Sequence, residues 1–310
     1  MSDGASSSVA ILPEGPEVSR LPVRRRRRRE WVETAKMAWG LRRTKIGVIG
    51  FFLILGIAVF GPLAAPYSPT QFVGQTFELP SATAWLGTDS LGRDVLSRVL
   101  WGGRTVFSLA LSATVVGMTL GILLGMFAGY SRRSVDDVVM RLLDVIMAFP
   151  HIVFVLLIVA AVGSQPYLIA LAVAIGHAPR VARVARGATL EVVGRDFILA
   201  SEALGVPKWK IMLTEIFPNI TSPMFVEFGL RLAYSIGTIA ALSFLGFGLQ
   251  PPAADWGLMI NENHIGIAIQ PYSVAVPVLL IALLTIAVSL VSDGLARAII
   301  GIDRKTGVSE

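Results

Sequence analysis

The chain has 310 residues, 54% of them hydrophobic and 15% charged, with a net charge of +6 and no cysteine. About a quarter of an ordinary soluble domain is charged, so this composition excludes a typical water-soluble fold and points to a membrane protein. The missing cysteine removes disulfides, thiolate metal sites and thiol nucleophiles from any mechanism.

In chain order, residues 1–35 read as a disordered basic tail on the cytoplasmic side, with six consecutive arginines from Arg24 to Arg29. Some 45 polar residues precede the first apolar run, which is not the layout of a cleaved signal peptide. A basic segment held against anionic lipid accounts for the arginines without a nucleic-acid partner. A spanning helix needs about 20 apolar residues. Residues 46–65 and 105–130 are uncharged and long enough. The uncharged stretch 145–179 is too long for one span, and "GSQP" at 163–166 divides it in two. A fifth span fits within 219–248 and a sixth within 272–296. With the N-terminus in the cytoplasm, six spans place 23 of the 27 Lys and Arg residues inside, as the positive-inside rule favours. The expected class is therefore an all-α integral membrane protein with both termini cytoplasmic. Its expected parts are the tail 1–35, a first span with an external segment over 36–104, a five-helix core over 105–300 and a tail over 301–310.

Between the first two spans, Asp94 is placed to cap a short external helix running from Val95 to about Trp101. The segment 249–271 carries paired prolines and several glycines that prevent one continuous helix. Trp85, Trp101 and Trp256 in these external segments suit a membrane boundary.

The stretch between the fourth and fifth spans is different in kind. Arg180, Arg183 and Arg186 form a basic helical stripe, and Asp196 is placed to cap a short helix ending at Leu204. Gly205 suits the left-handed position after a helix, and Pro207 suits the first position of the next one. Trp209, Met212, Leu213 and Ile216 then fall at i, i+3, i+4 and i+7, one apolar face, with Lys208, Lys210 and Thr214 off it and Pro218 at the entry to the fifth span. Spacing alone leaves two readings level: a helix lying on the membrane surface, or an apolar knob that fills a partner's groove.

Catalytic signatures are missing. The sequence has no phosphate-cradling G-x-x-x-x-G-K-[ST] loop and no G-x-S-x-G or S-x-x-K context, and His151, His177 and His264 are scattered. Glu227 and Arg231 are spaced for an ion pair within the fifth span, as are Arg141 and Asp144 where the third begins. Their expected role is mutual neutralisation rather than a proton relay.

Five segments in order, "LGTDSLGRDVLSRVLWGGR" (86–104), "VMRLLDVIMAFP" (139–150), "RVARVARGATL" (180–190), "ASEALGVPKWKIMLTEIFPN" (200–219) and "LSFLGFGLQPPAADWG" (242–257), resemble the membrane subunits of binding-protein-dependent ABC importers. The likeness is to the C-type permease of the dipeptide, oligopeptide and nickel family and covers roughly residues 35–300. The resemblance implies a type I importer permease fold whose coupling loop, here 187–218, docks on an ATPase subunit. It maps the family's Glu-Ala-Ala triplet onto Leu199, Ala200 and Ser201, with Glu202, Ala203, Leu204, Gly205, Pro207, Lys208, Trp209 and Pro218 completing the coupling set. Leucine therefore stands at the acidic position, and Glu202 is a neighbouring candidate for that contact. Ile239 stands where relatives often carry Glu. Glu227, Arg231, Ser243 and Phe244 are candidates for the translocation pathway or gate. Implied partners are a second, B-type permease, two ATP-hydrolysing subunits or one fused ATPase that bind ATP and Mg, and an extracytoplasmic solute-binding protein. The chain itself would be a non-enzymatic subunit with no cofactor or metal, in a prokaryotic cytoplasmic membrane. Its implied cargo is short peptides; nickel chelates, glutathione or sugars stay open, and a stand-alone secondary transporter is the other class.

Overall fold

The computed structural model describes residues 36–306, and side chains as far as residue 299. The expected basic tail over 1–35 lies outside the described residues. Among the described residues the architecture is helical, with two isolated bridges, Phe72 with Arg93 and Thr88 with Asp94, in the segment after the first span.

The long elements are α1 (Arg42–Ala64), α2 (Val95–Tyr130), α3 (Arg133–Met147), α4 (His151–Val162) and α5 (Pro166–Val193). A short α6 (Asp196–Ala203) leads to α7, continuous over Lys208–Phe244 with a π turn at Met212–Ile216. A cap helix α8 (Trp256–Asn263) and the last span α9 (Tyr272–Thr306) complete the chain. Five of these helices are long and apolar enough to cross a membrane, and the number is six when the bent pair α3–α4 is counted as one span.

α2 and α5 form the central pair. Glycines at 117, 121, 125 and 129, one per turn on one face of α2, leave no room for a Cβ against residues 174–189 of α5. Such small residues let two membrane helices meet backbone to backbone. The contacts rise together along both chains, Gly117 on Ala174 and Gly129 on Thr189, so α2 and α5 run parallel. The chain between them must therefore return over roughly 30 Å, the rise of some twenty helical residues. That return is made by α3 and α4, which meet at 84°. The third span, expected to begin near Arg141 and Asp144 and to run to the break at 163–166, is instead this bent pair. Pro150 lacks the N–H that would continue the helix, so α3 stops at Met147 and α4 starts at His151. α3 is held along α5 by a two-pronged Arg186–Asp136 ion pair and by Arg183 bonding Asp144 at 2.5 Å. The expected Arg141–Asp144 pair is thus replaced by one between helices.

The external helix expected over Val95–Trp101 is also corrected. It is the first turns of α2 itself, so the division expected at 104/105 falls inside one helix. Asp94 does cap it, its Oδ2 accepting from the Ser97 N–H at 2.8 Å. Similarly, α9 runs through 301–306 rather than ending in a tail there. α1 packs antiparallel on α9, with Thr44 against Gly294 and Gly47 against Ala287, and antiparallel on α2, with Gly61 against Leu100. Both ends of the described chain accordingly lie at the end of the bundle that carries α6.

Candidate functional site: the loop between α5 and α7

α6 starts one residue earlier than expected, where Asp196 was to be the capping residue outside it. Arg195 is the extended residue before it, and Asp196 is its first residue, where a carboxylate favours the positive end of the helix dipole. At the other end Gly205 adopts φ +72°. The Gly205 N–H donates to the Glu202 carbonyl at 2.9 Å, and the Val206 N–H donates to Ser201 at 3.1 Å. These two bonds make a Schellman motif, and they satisfy carbonyls that the helix end leaves open. Pro207 sits one place outside α7 at φ −63° and ψ 140°, instead of being its first helical residue.

The apolar face expected over Trp209, Met212, Leu213 and Ile216 divides. Ile211 and Ile216 are fully buried, while Trp209 and Leu213 are 63% and 50% exposed. The physical reason is the π turn. It puts five residues into one turn, so the inward set becomes Ile211, Ile216, Ile220 and Met224. Pro218 promotes this turn, because it has no N–H to return to the carbonyl of Thr214.

Two sets of side chains result. Ile198, Ile211, Ile216 and Ile220 share a buried cluster with Met126 and Tyr130 of α2 and Val181, Ala185 and Val192 of α5. Facing outward are Leu204, 83% exposed, and Leu199, 53% exposed, beside Trp209 and Leu213. Ala200, Ala203, Lys208 and Lys210 are exposed among them. Polar bonds set the loop's position. Ser201 Oγ donates to Glu215 Oε1 at 2.7 Å, and the Tyr130 hydroxyl donates to Glu202 Oε1 at 2.6 Å. Glu202, the neighbouring candidate for an acidic contact, therefore has one oxygen committed to its own chain.

The four pathway candidates are not brought together. Glu227 and Arg231 are buried and form the expected ion pair, Oε1 to Nε 2.8 Å, with the guanidinium 5.0 Å from the Tyr234 ring. Ser243 lies three turns further along α7, about 18 Å away. It is buried against Gly248 and Gly257, while the Phe244 ring meets His264 edge-on and its carbonyl accepts from Asn261. Ile239 is buried in the main core.

Two polar clusters escaped sequence reasoning. In mid-bundle, Ser235 Oγ lies 2.9 Å from both Thr114 Oγ1 and His177 Nε2, and the His177 ring stacks on His151 at 4.8 Å. At the end of the bundle opposite α6, Asp89 holds Arg93 at 2.7 Å and Arg98 at 2.6 Å, and Glu262 of α8 bonds the same two arginines at 2.9 and 2.5 Å. Trp256 keys α8 into α2, donating to the Val99 carbonyl at 2.9 Å between Gly102 and Gly103. Asp255 caps α8 through the Leu258 N–H at 2.9 Å, and its complete burial pushes its carboxyl above the ordinary value. Among the described residues no group of three or more His, Asp or Glu could hold a metal ion.

Residues 121–301 match the family described as binding-protein-dependent transport system inner membrane component, and the chain belongs to that family. It is 38% identical over 249 residues to the glutathione transport system permease protein GsiD of Pectobacterium atrosepticum, covering 80% of this chain and 83% of that one. It is 36% identical over 260 residues to the di/tripeptide transport system permease protein DppC of Pseudomonas aeruginosa, covering 82% and 86%. A solved chain of the MetNI methionine ABC transporter, in inward-facing conformations, superposes with a TM-score of 0.51 at 16% identity, covering 65% of this chain and 95% of that chain. That likeness concerns the fold. The protein is thus an ABC importer permease subunit, a multi-pass component of a prokaryotic cytoplasmic membrane.

Proposed function

We propose that this chain is the C-type permease of an ATP-driven importer of short peptides, and that the loop around Gly205 couples it to the ATPases. The cargo assignment rests on the relatives, which are named for glutathione, di/tripeptide and dipeptide transport. The α6 end of the bundle faces the cytoplasm, in keeping with the Lys and Arg bias. The cap around Glu262 faces the solute-binding protein, a B-type permease pairs with this chain, and ATP and Mg are bound by two ATPase subunits or one fused subunit.

The observation that carries this reading is the division of apolar side chains across the loop. Leu199, Leu204, Trp209 and Leu213 point away from the chain's own core, while Ile198, Ile211 and Ile216 fasten the loop to the spans. An exposed apolar knob on a fixed base fits a groove in a soluble partner. When the ATPases close, the knobs move with them. α7 is one helix from Lys208 to Phe244, so this displacement reaches the level of Ser235 and Arg231 without an intervening flexible loop.

Reconstitution tests the reading. The purified chain alone in liposomes should not accumulate a labelled dipeptide or glutathione, while the full complex with its binding protein and ATP should. Uptake by the chain alone would refute it. A Trp209→Glu variant should lose ATPase co-purification, and full retention would favour a membrane-surface role for the loop.

A further inference from the structure

α6 is joined covalently to two helices only, to α5 through Gly194 and Arg195 and to α7 through residues 204–207. Both joints contain a glycine whose added Cβ would meet no atom within 4 Å. Neither glycine position is itself braced by a neighbouring atom. Without a polar tie, a rigid α6 pushed by a partner would hold to the α2–α5 pair only by its short link to α5 and the apolar packing of Ile198, which can slide.

A third attachment prevents this. Tyr130 is the last residue of α2, 72 positions before Glu202, and its hydroxyl donates to Glu202 Oε1 at 2.6 Å. A hydroxyl bonded to a carboxylate is among the stronger protein hydrogen bonds. The ring is gripped as well. Lys208 Nζ stands 5.7 Å from its centroid, and Ile198, Ile211 and Ile216 lie in the same buried cluster. Ser201 and Glu215 then tie α6 to the π turn of α7 at 2.7 Å. α2 and α5 move as one body, since their glycine contact leaves no space between the backbones.

We propose that Tyr130 is a positioning residue for transport: it bolts the coupling loop to the α2–α5 pair, so that each ATPase stroke displaces three spans rather than one. Glu202 is its acceptor, so Oε1 of that carboxylate serves transmission within the chain. The inference rests on the proposed docking role of the loop.

The test uses the complete transporter, in which this chain offers no native cysteine to compete with introduced labels. Spin labels go on Phe197→Cys of α6 and Phe127→Cys of α2, both exposed and outside the loop's outward apolar set. In the wild-type background the distance distribution should be the same without nucleotide and with ATP–vanadate. In Tyr130→Phe, which keeps the ring, it should broaden or lengthen only with ATP–vanadate. Dipeptide uptake per ATP hydrolysed should fall several-fold in Tyr130→Phe and in Glu202→Ala. The double variant should be no worse than either, and Glu202→Gln, whose amide oxygen still accepts, should recover most of the loss. A wild-type distance that shifts with nucleotide, an unchanged Tyr130→Phe distribution, or losses that multiply in the double variant would each overturn the proposal. So would failure of Tyr130→Phe to assemble, since the hydroxyl would then be structural. Failure of the docking reading shows separately, as retained ATPase co-purification in Trp209→Glu.

Discussion

Gly205 offers the most direct test of whether the loop's shape matters. Its φ of +72° lies in the left-handed region, and an added Cβ would touch nothing within 4 Å. A side chain there meets no clash, and its cost is torsional, about 1–2 kcal/mol in the left-handed region and highest for a β-branched residue. The alternative is for the turn to open, forfeiting the bonds from Gly205 to Glu202 and from Val206 to Ser201. Two such bonds contribute about 2 kcal/mol net, so strain and opening compete on equal terms in Gly205→Val. At about 1.4 kcal/mol per tenfold, the open turn becomes roughly ten times more populated. With the two forms near balance, about half of the turns stay closed, so peptide uptake by the reconstituted complex should fall by up to about twofold in Gly205→Val and less in Gly205→Ala. It should stay close to wild type in Gly205→Asn, since asparagine tolerates this conformation. Membrane insertion and span packing should be unchanged in all three. Full uptake by Gly205→Val, or equal loss in the Asn and Val variants, would refute the argument.

Other outcomes follow from packing and charge. Lys210→Glu should weaken ATPase co-purification without disturbing the Tyr130–Glu202 bond; the same change at Lys208 acts less cleanly, because Lys208 lies over Tyr130. Asp89→Ala leaves two buried guanidinium groups sharing one carboxylate, and removing a partner from a buried pair costs about 3–5 kcal/mol. It should lower the thermal midpoint of the purified chain far more than Glu78→Ala. Gly125→Val should block stable folding of the α2–α5 pair, whereas Gly187→Ala, on an open face of α5, should be neutral or add up to about 1 kcal/mol. Burial raises the Asp255 carboxyl above its ordinary 3.8, so the folded state favours the protonated form. Its stabilising contribution is full below the unfolded value and is lost as pH rises through the raised one. Asp255→Asn should flatten that part of the stability–pH curve in thermal melts.

The spans, the left-handed Gly205, the Asp94 cap and the Glu227–Arg231 pair were legible because each depends on a local pattern: apolar length, a capping residue, i,i+4 spacing. What local patterns could not settle was register and pairing. The π turn shifts the phase of α7 by one residue, which exposes Leu213 and buries Ile211, and only Pro218 hinted at it. The bend after Met147 has its signal in Pro150, masked by the uncharged run that continues through it. Asp144 chose Arg183 over the nearer Arg141 because α5 lies alongside α3, a tertiary fact. The four-charge cluster joins positions some 170 apart in sequence, beyond the reach of any spacing rule. The glycine series 117, 121, 125 and 129 was readable as a close-packing seam, and its four-residue period is the mark to look for.

In the cap at the far end, Arg93, Arg98, Asp89 and Glu262 neutralise one another inside the structure, two positive charges against two negative. A rim that spends its charges on its own architecture projects little field into the surrounding water. Electrostatic steering, which can change encounter rates by orders of magnitude, gains little from these four groups. The field this end offers to a docking protein comes instead from charges outside the cluster, such as exposed Arg104 and half-buried Glu78.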